Sequence, residues 1–263
     1  MSLSRFQRRL RVVIKRFVYS QLYLRESLLI MLGRSKPLVR FTVEPSPPSL
    51  YFNFAIKPDQ VAQLERSLGL PHPLTPIQCL ESEPSFHCLT LNVYRVSGLA
   101  NGLRAEWSVY VRDSSGKPRY MIVEARADRG SMDPIDIITR PGRVGYEDSG
   151  ESLMLEIGSD GDSRFKARCG KSGNFPIVRA SPEWVEANDY IYWRNGICDR
   201  TFYDAGLANA RMRMIDAASV SIENDTPWNE FIETAPRHVL VLENAIDFAM
   251  SPWWNLDTLS EEP

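Results

Sequence analysis

Arg104, Glu106, Ser108 and Tyr110 alternate with Ala105, Trp107, Val109 and Val111, a period of two that puts the four polar side chains on one face of a strand. Tyr120 and Glu124 extend that set across the hairpin. Such a face holds the parts of an acid/base site. Glu106 or Glu124 would act as general base, and Arg104 would bind a ligand carboxylate in a bidentate manner. The phenols of Tyr110 and Tyr120 would contact the same ligand. A sheet with one solvated face and exposed charges has the same alternation, so the pattern alone leaves both readings open.

Other reactive residue types form weaker patterns. Asp128, Asp133 and Asp136 lie close in sequence, and Asp133-Pro134 reads as a turn or a helix cap. His72, His87 and His238 show no HxH or HExxH spacing, so no metal site is expected. With no Walker-type loop and no GxGxxG, no cofactor is expected either. Tyr190, Tyr192, Trp193, Phe202, Tyr203, Trp253 and Trp254 form an aromatic group that packs a core or closes an apolar cavity.

The elements that must position these residues are mostly strands. Residues 103–112 and 119–126 alternate cleanly around Asp113-Ser114-Ser115-Gly116-Lys117-Pro118, which predicts a hairpin. From Phe86 onward Leu89, Leu91 and Val93 face one way while Thr90, Asn92 and Tyr94 face the other. Further strands are predicted at 50–56, 152–157, 163–169, 190–193, 213–222 and 238–250, with one short helix over 58–68. Many short strands and few helices predict a mainly β fold, an antiparallel barrel or sandwich.

The first 36 residues read differently. Phe6, Leu10, Val13, Phe17, Leu24, Leu28 and Met31 recur at helical steps over 3–32, with arginines and a lysine crowding the first half. Residues 1–40 carry ten Lys or Arg against Glu26 alone, a charge of +9, whereas the rest of the chain carries −11. Such an arm meets an anionic membrane surface, a protein partner or the chain's own acidic body. Its apolar stretch, cut by Arg25-Glu26, is too short to span a bilayer.

The expected organisation is therefore a basic amphipathic helical arm at 1–36, one β-rich domain at 37–257 and an acidic tail at 258–263. The 263 residues, 43% hydrophobic and 24% charged, suffice for one substantial core. Cys79, Cys88, Cys169 and Cys198 form no CxxC pair, and no cleavable signal precedes them. A cytoplasmic setting with reduced thiols follows, with peripheral membrane contact through the arm as an addition. Basic residues beyond the arm are not interleaved with aromatics, which argues against nucleic acid. A homo-oligomer remains open.

Taken together, several segments resemble the acetoacetate decarboxylase-like superfamily. They are Tyr94, the strand Arg104-Ala105-Glu106-Trp107-Ser108-Val109-Tyr110-Val111 with its Gly-containing hairpin, and Asp189-Tyr190-Ile191-Tyr192-Trp193-Arg194-Asn195-Gly196. The apolar last strand toward Ser251-Pro252-Trp253 adds to them. The resemblance covers roughly residues 40–255 and implies a closed, cone-like antiparallel β-barrel around an apolar cavity with a few ionisable groups. It implies a carboxylate near Glu106, and it adds Tyr94 and Trp193 to the residues that would line the cavity.

The decarboxylases of that family form a Schiff base on a lysine shortly after the hairpin. Residues 120–139 contain no lysine, and the chain has only Lys15, Lys36, Lys57, Lys117, Lys166 and Lys171. Arginine cannot substitute, because it stays protonated and forms no imine. The reading is a protein that binds a small carboxylated, carbonyl-bearing or apolar ligand, with lyase-like acid/base chemistry that does not pass through an imine. The alternative is a non-catalytic binding or assembly protein attached to a membrane or partner by its arm.

Overall fold

The computed structural model describes residues 39–70, 72–98, 102–128, 139–158, 164–171, 173, 175–188, 190–193, 201–204 and 206–250, with position 21. The helix expected over 3–32, apart from Gln21, lies outside the described residues, as do the tail at 258–263, Asp133, Asp136, Trp253 and Trp254.

In chain order the strands are β1 (Val39–Glu44), β2 (Leu50–Ala55), β3 (Cys88–Gly98), β4 (Gly102–Arg112), β5 (Pro118–Ala127), β6 (Thr139–Pro141), β7 (Arg143–Asp148) and β8 (Ser152–Gly158). They continue as β9 (Phe165–Gly170), β10 (Ile177–Val178), β11 (Tyr190–Trp193), β12 (Thr201–Asp204), β13 (Met212–Ile215), β14 (Val220–Asn224), β15 (His238–Leu242) and β16 (Ile246–Met250). Helix α1 (Val61–Leu68) follows β2, and α2 (Pro182–Asn188) follows β10.

Twelve strands form one large sheet in the order β1-β16-β12-β11-β5-β4-β3-β2-β15-β13-β10, with β6 beside β5. The pairings are antiparallel except for β11 and β6, which run parallel to β5. Strands β7, β8, β9 and β14 make a second, four-stranded antiparallel sheet. The mainly β, antiparallel expectation holds. The closed barrel does not form as such, because the large sheet ends on β10, which pairs with β13 alone. The reason lies in β3. With 11 residues it outruns the 6 of β2, pairs with β2 through 88–93, and offers 95–98 on the same edge to β1. The sheet thus branches at β3 and curls, so that β1, reached through β16, meets β3 again.

The predicted alternation decides what each face does. Leu89, Leu91 and Val93 of β3 and Ala105, Trp107, Val109 and Val111 of β4 pack toward the small sheet, meeting Leu153, Leu155, Ile157, Phe165 and Ala167. Phe165 sits edge-on to both Phe52 (5.5 Å) and Trp107 (5.7 Å). Each side chain of this kind, once fully buried, contributes about 1.5–3 kcal/mol, which makes the inter-sheet layer the main stabilising element. The other face of β2–β5 belongs to a second core with Ile77, Leu80, Trp184 and Leu240.

Two expected long strands are each divided. Within 213–222, the Asp216 carboxylate accepts from the Ala218 N–H and caps a short 3-10 turn. That turn sends β13 to the large sheet and β14 to the small one. Within 238–250, the Asn244 side chain accepts from the Arg211 N–H at a bend. Beyond it β16 leaves β15 to pair with β1 and β12. Helix α2 was not expected, although its start is marked: Ser181 accepts from the Trp184 N–H, and Pro182 occupies the first helical position.

Candidate functional site

Strand β4 carries the site. Arg104, Glu106, Ser108 and Tyr110 all point away from the small sheet into the second core, and they are 2%, 4%, 0% and 1% exposed. The solvated-face reading is thereby excluded. Burying a carboxylate and a guanidinium demands full hydrogen bonding, since an unpaired buried charge is severely destabilising. The Glu106 carboxylate meets that demand. Its Oε2 accepts from Arg104 Nε at 2.9 Å and from the Tyr94 hydroxyl at 3.1 Å, and its Oε1 accepts from the Tyr120 hydroxyl at 3.0 Å. Three neighbouring strands supply these groups, because Tyr94 of β3 lies opposite Arg104 and Tyr120 arrives from β5.

Burial, and then the charge on Glu106, push the Tyr120 phenol well above its ordinary range. The same two causes raise Tyr51, whose strand position faces Asn92, itself opposite Glu106. These phenols stay protonated and serve as hydrogen-bond donors. Arg104 directs its Nε to Glu106, so that part of the guanidinium is engaged within the cluster.

Tyr110 stands further along the strand. It accepts a hydrogen bond from Trp184 Nε1 and lies edge-on to Tyr120, with ring centroids 5.7 Å apart. Its phenol is raised by burial first and then by the nearby Cys79 and Cys88. Tyr110 therefore supports Tyr120 and makes no direct contact with Glu106.

Glu124 is not part of this cluster. The β4–β5 ladder slips between Trp107 and Ser108: Ile122 lies opposite Ser108, Glu124 lies opposite Trp107, and Val123 is the extra residue. A bulge of one residue inverts the parity of everything beyond it. Ala125 then faces inward beside Glu106, and Glu124 turns to the other face. There its carboxylate accepts from Trp228 Nε1 at 3.2 Å and from Arg126 Nε at 3.0 Å. Trp193 occupies β11 in register with Ile122, and its side chain lies outside the described residues.

Sequence reasoning missed the neighbouring strands' share of the inner face. Tyr51 and Asn53 of β2 and Thr90 and Asn92 of β3 lie in register beside Glu106 and Ser108. Thr90 donates to Asn53 Oδ1 at 2.9 Å. Asn53 Nδ2, Asn92 Oδ1 and Ser108 Oγ are buried without a hydrogen-bond partner. The alternation of Leu50, Phe52 and Phe54 with Tyr51 and Asn53 was the available signal. His238 also reaches this face, opposite Asn53, with Nε2 against the Glu83 carboxylate.

Among the described residues no lysine reaches the inner face. Lys57 donates to the Glu230 carbonyl, Lys117 pairs with Glu186, Lys166 lies near Glu223 and Lys171 pairs with Asp148. No group of three or more His, Cys, Asp or Glu side chains converges as a metal site among those residues. Cys79, Cys88 and Cys169 are free and buried.

No protein-family model matches the chain, and no curated protein does. Solved structures do. Over 82% of this chain and 86% of the other, the backbone superposes on acetoacetate decarboxylase from Legionella pneumophila with a TM-score of 0.54 at 11% identity. The fold is that of acetoacetate decarboxylase. An acetoacetate decarboxylase-like enzyme from Sphingomonas wittichii (TM-score 0.47, 10% identity, 81% and 89% of the two chains) and a further acetoacetate decarboxylase (0.45, 12%, 80% and 86%) also match. On the acetoacetate decarboxylase-like fold of this chain, the Glu106 cluster lies on the inner face of the large sheet.

Proposed function

We propose that this chain binds a small neutral carbonyl compound against the Glu106 cluster and moves a proton on the carbon beside the carbonyl, without an imine. The observation that supports the reading is the convergence of two phenols and a guanidinium on one buried carboxylate. The fold adds to it, since the Legionella protein is named for a reaction of acetoacetate, itself a carbonyl compound.

The step balances within the residues present. Glu106 takes the α-proton as the C–H bond breaks, and the electron pair moves into the carbonyl to form an enolate. As Glu106 gains the proton, its pull on Tyr94 and Tyr120 weakens, and their hydroxyl protons turn to the enolate oxygen. The raised phenol at Tyr120 suits a hydrogen-bond donor that keeps its proton. Return of the proton to carbon restores the site. The experiment is α-hydrogen exchange of small ketones in D2O, followed by proton NMR. Wild-type protein is expected to accelerate exchange and Glu106→Gln to abolish it while remaining folded. Equal exchange by both would reject Glu106 as the base. Borohydride with a keto acid is expected to leave the protein mass unchanged, and a reduced adduct would reject the imine-free route.

A second reading concerns the arm. The +9 charge of residues 1–40 supports reversible attachment to an anionic membrane surface. Among the described residues no helix is long and apolar enough to cross a membrane. Flotation with anionic vesicles is expected to recover full-length protein and lose it when residues 1–36 are removed; equal recovery would reject the attachment.

A further inference from the structure

We infer that the site selects carbonyl compounds carrying a hydroxyl group next to the carbonyl, through Asn92 and Ser108. The inference rests on the proposed carbonyl site and names its ligand class. Asn92 lies directly opposite Glu106 across the β3–β4 ladder, about 5 Å away by strand spacing. Ser108 follows Glu106 by two residues on the same face, about 7 Å along the strand. Asn92 is 9% exposed and Ser108 0%, so neither is satisfied by bulk solvent.

Asn92 Oδ1 has no hydrogen-bond partner, and the side chain lies close enough to the Tyr51 phenol to lower its pKa against the rise from burial and Glu106. The Ser108 hydroxyl faces the Tyr120 phenol without meeting hydrogen-bond geometry. Asn53, one strand and two residues from Asn92, adds an unpartnered Nδ2 donor. Buried polar atoms of this kind are rare, and leaving one unsatisfied costs as much as a lost hydrogen bond.

With His238 Nδ1 opposite Asn53, four such atoms lie on this inner face, and the three from Asn53, Asn92 and Ser108 lie nearest Glu106 and set what a ligand there must offer. The complement must accept from Asn53 or Ser108, donate to Asn92 and carry no charge. A hydroxyl group does all three; a methyl or a carboxylate does not. In the inferred pose the carbonyl oxygen lies with Tyr94 and Tyr120, and the adjacent hydroxyl is directed to Asn92, opposite Glu106 on the same face.

The probes are hydroxyacetone and acetone, which differ by that hydroxyl alone. Each is titrated into full-length protein and followed by ligand-observed NMR. Wild type is expected to bind hydroxyacetone at least about tenfold more tightly, as sites built around a ligand hydroxyl do. Asn92→Leu is expected to bring the two within about twofold. Ser108→Ala is a second variant, milder in volume, should the first fail to fold, and is expected to lower the preference in part. Equal wild-type affinity for the two ketones would overturn the inference and spare the carbonyl site. So would a preference retained by both variants. Binding of neither ketone would overturn both.

Discussion

Replacing Glu106 by Leu removes the acceptor for three buried donors at once. Arg104, with a side chain 3% exposed, would be left charged without its carboxylate. Breaking a buried pair from one side costs roughly 3–5 kcal/mol. The Tyr94 and Tyr120 hydroxyls, which lose their acceptor inside the core, add about 1 kcal/mol each. The expected loss, on the order of 5 kcal/mol, is a third or more of the stability of an ordinary domain. In urea unfolding followed by tryptophan fluorescence, this lowers the midpoint by roughly 1.5–2 M if the denaturant slope is about 3 kcal/mol/M.

The double variant Arg104→Met with Glu106→Leu removes both charges and fills the space with apolar atoms. It is expected to recover to within about 2 kcal/mol of wild type, because apolar replacements of buried pairs are close to neutral and the two phenols lose their hydrogen bonds to Glu106. Ordinary surface changes shift stability by about 0.5 kcal/mol, so a Glu106→Leu protein within about 1 kcal/mol of wild type would refute the buried pair. A double variant as unstable as the sum of the singles would refute the coupling.

The other predictions concern residues away from the ligand. Glu124→Gln is expected to leave α-hydrogen exchange unchanged and to cost about 1 kcal/mol of stability in the same urea assay; lost exchange would place Glu124 at the site after all. Burial pushes Asp113 up, but hydrogen bonds from Ser115, the Lys117 N–H and Arg119 outweigh it and hold the carboxyl at about 2, below its ordinary 3.8. A depressed folded value means the stability is present above 3.8 and lost as pH falls toward about 2. Asp113→Asn is therefore expected to lose about 2 kcal/mol at pH 7 and to flatten the stability profile between pH 4 and 2, measured by urea unfolding. An unchanged profile would contradict the assignment. Burial pushes the Cys169 thiol up to about 12, so iodoacetamide at pH 8 is expected to modify it in urea and spare it in native protein, read by peptide mass mapping.

Much of the site's position was legible in residues 103–126, where alternation alone set the faces of β4 and the turn at Asp113. The direction of the polar face was not, because it depends on which distant strands cover it. Pairings such as Phe41 with Gly98 and Phe165 packing on Trp107 are long-range and leave no local mark. Glu124 shows a sharper limit. Nothing in Ile122-Val123-Glu124 announces the bulge, yet that one residue moves the carboxylate to the opposite face. The divided strands at 213–222 and 238–250 have the same character: continuous apolar patterns served two sheets or two partners, and only Asp216 and Asn244 hinted at the breaks. Helix α2, by contrast, was readable from Ser181-Pro182 and was missed.

The most direct test of the Glu106 cluster as a ligand site is NMR of protein labelled with 13C at the tyrosine Cζ, titrated with butanone. The resonances of Tyr94 and Tyr120, assigned through Phe variants, are expected to move on titration and to stay still in Glu106→Gln. Tyr146, bonded to the Val93 carbonyl between the two sheets, is expected not to respond. A ketone that binds while both inner-face phenols stay fixed would contradict the account.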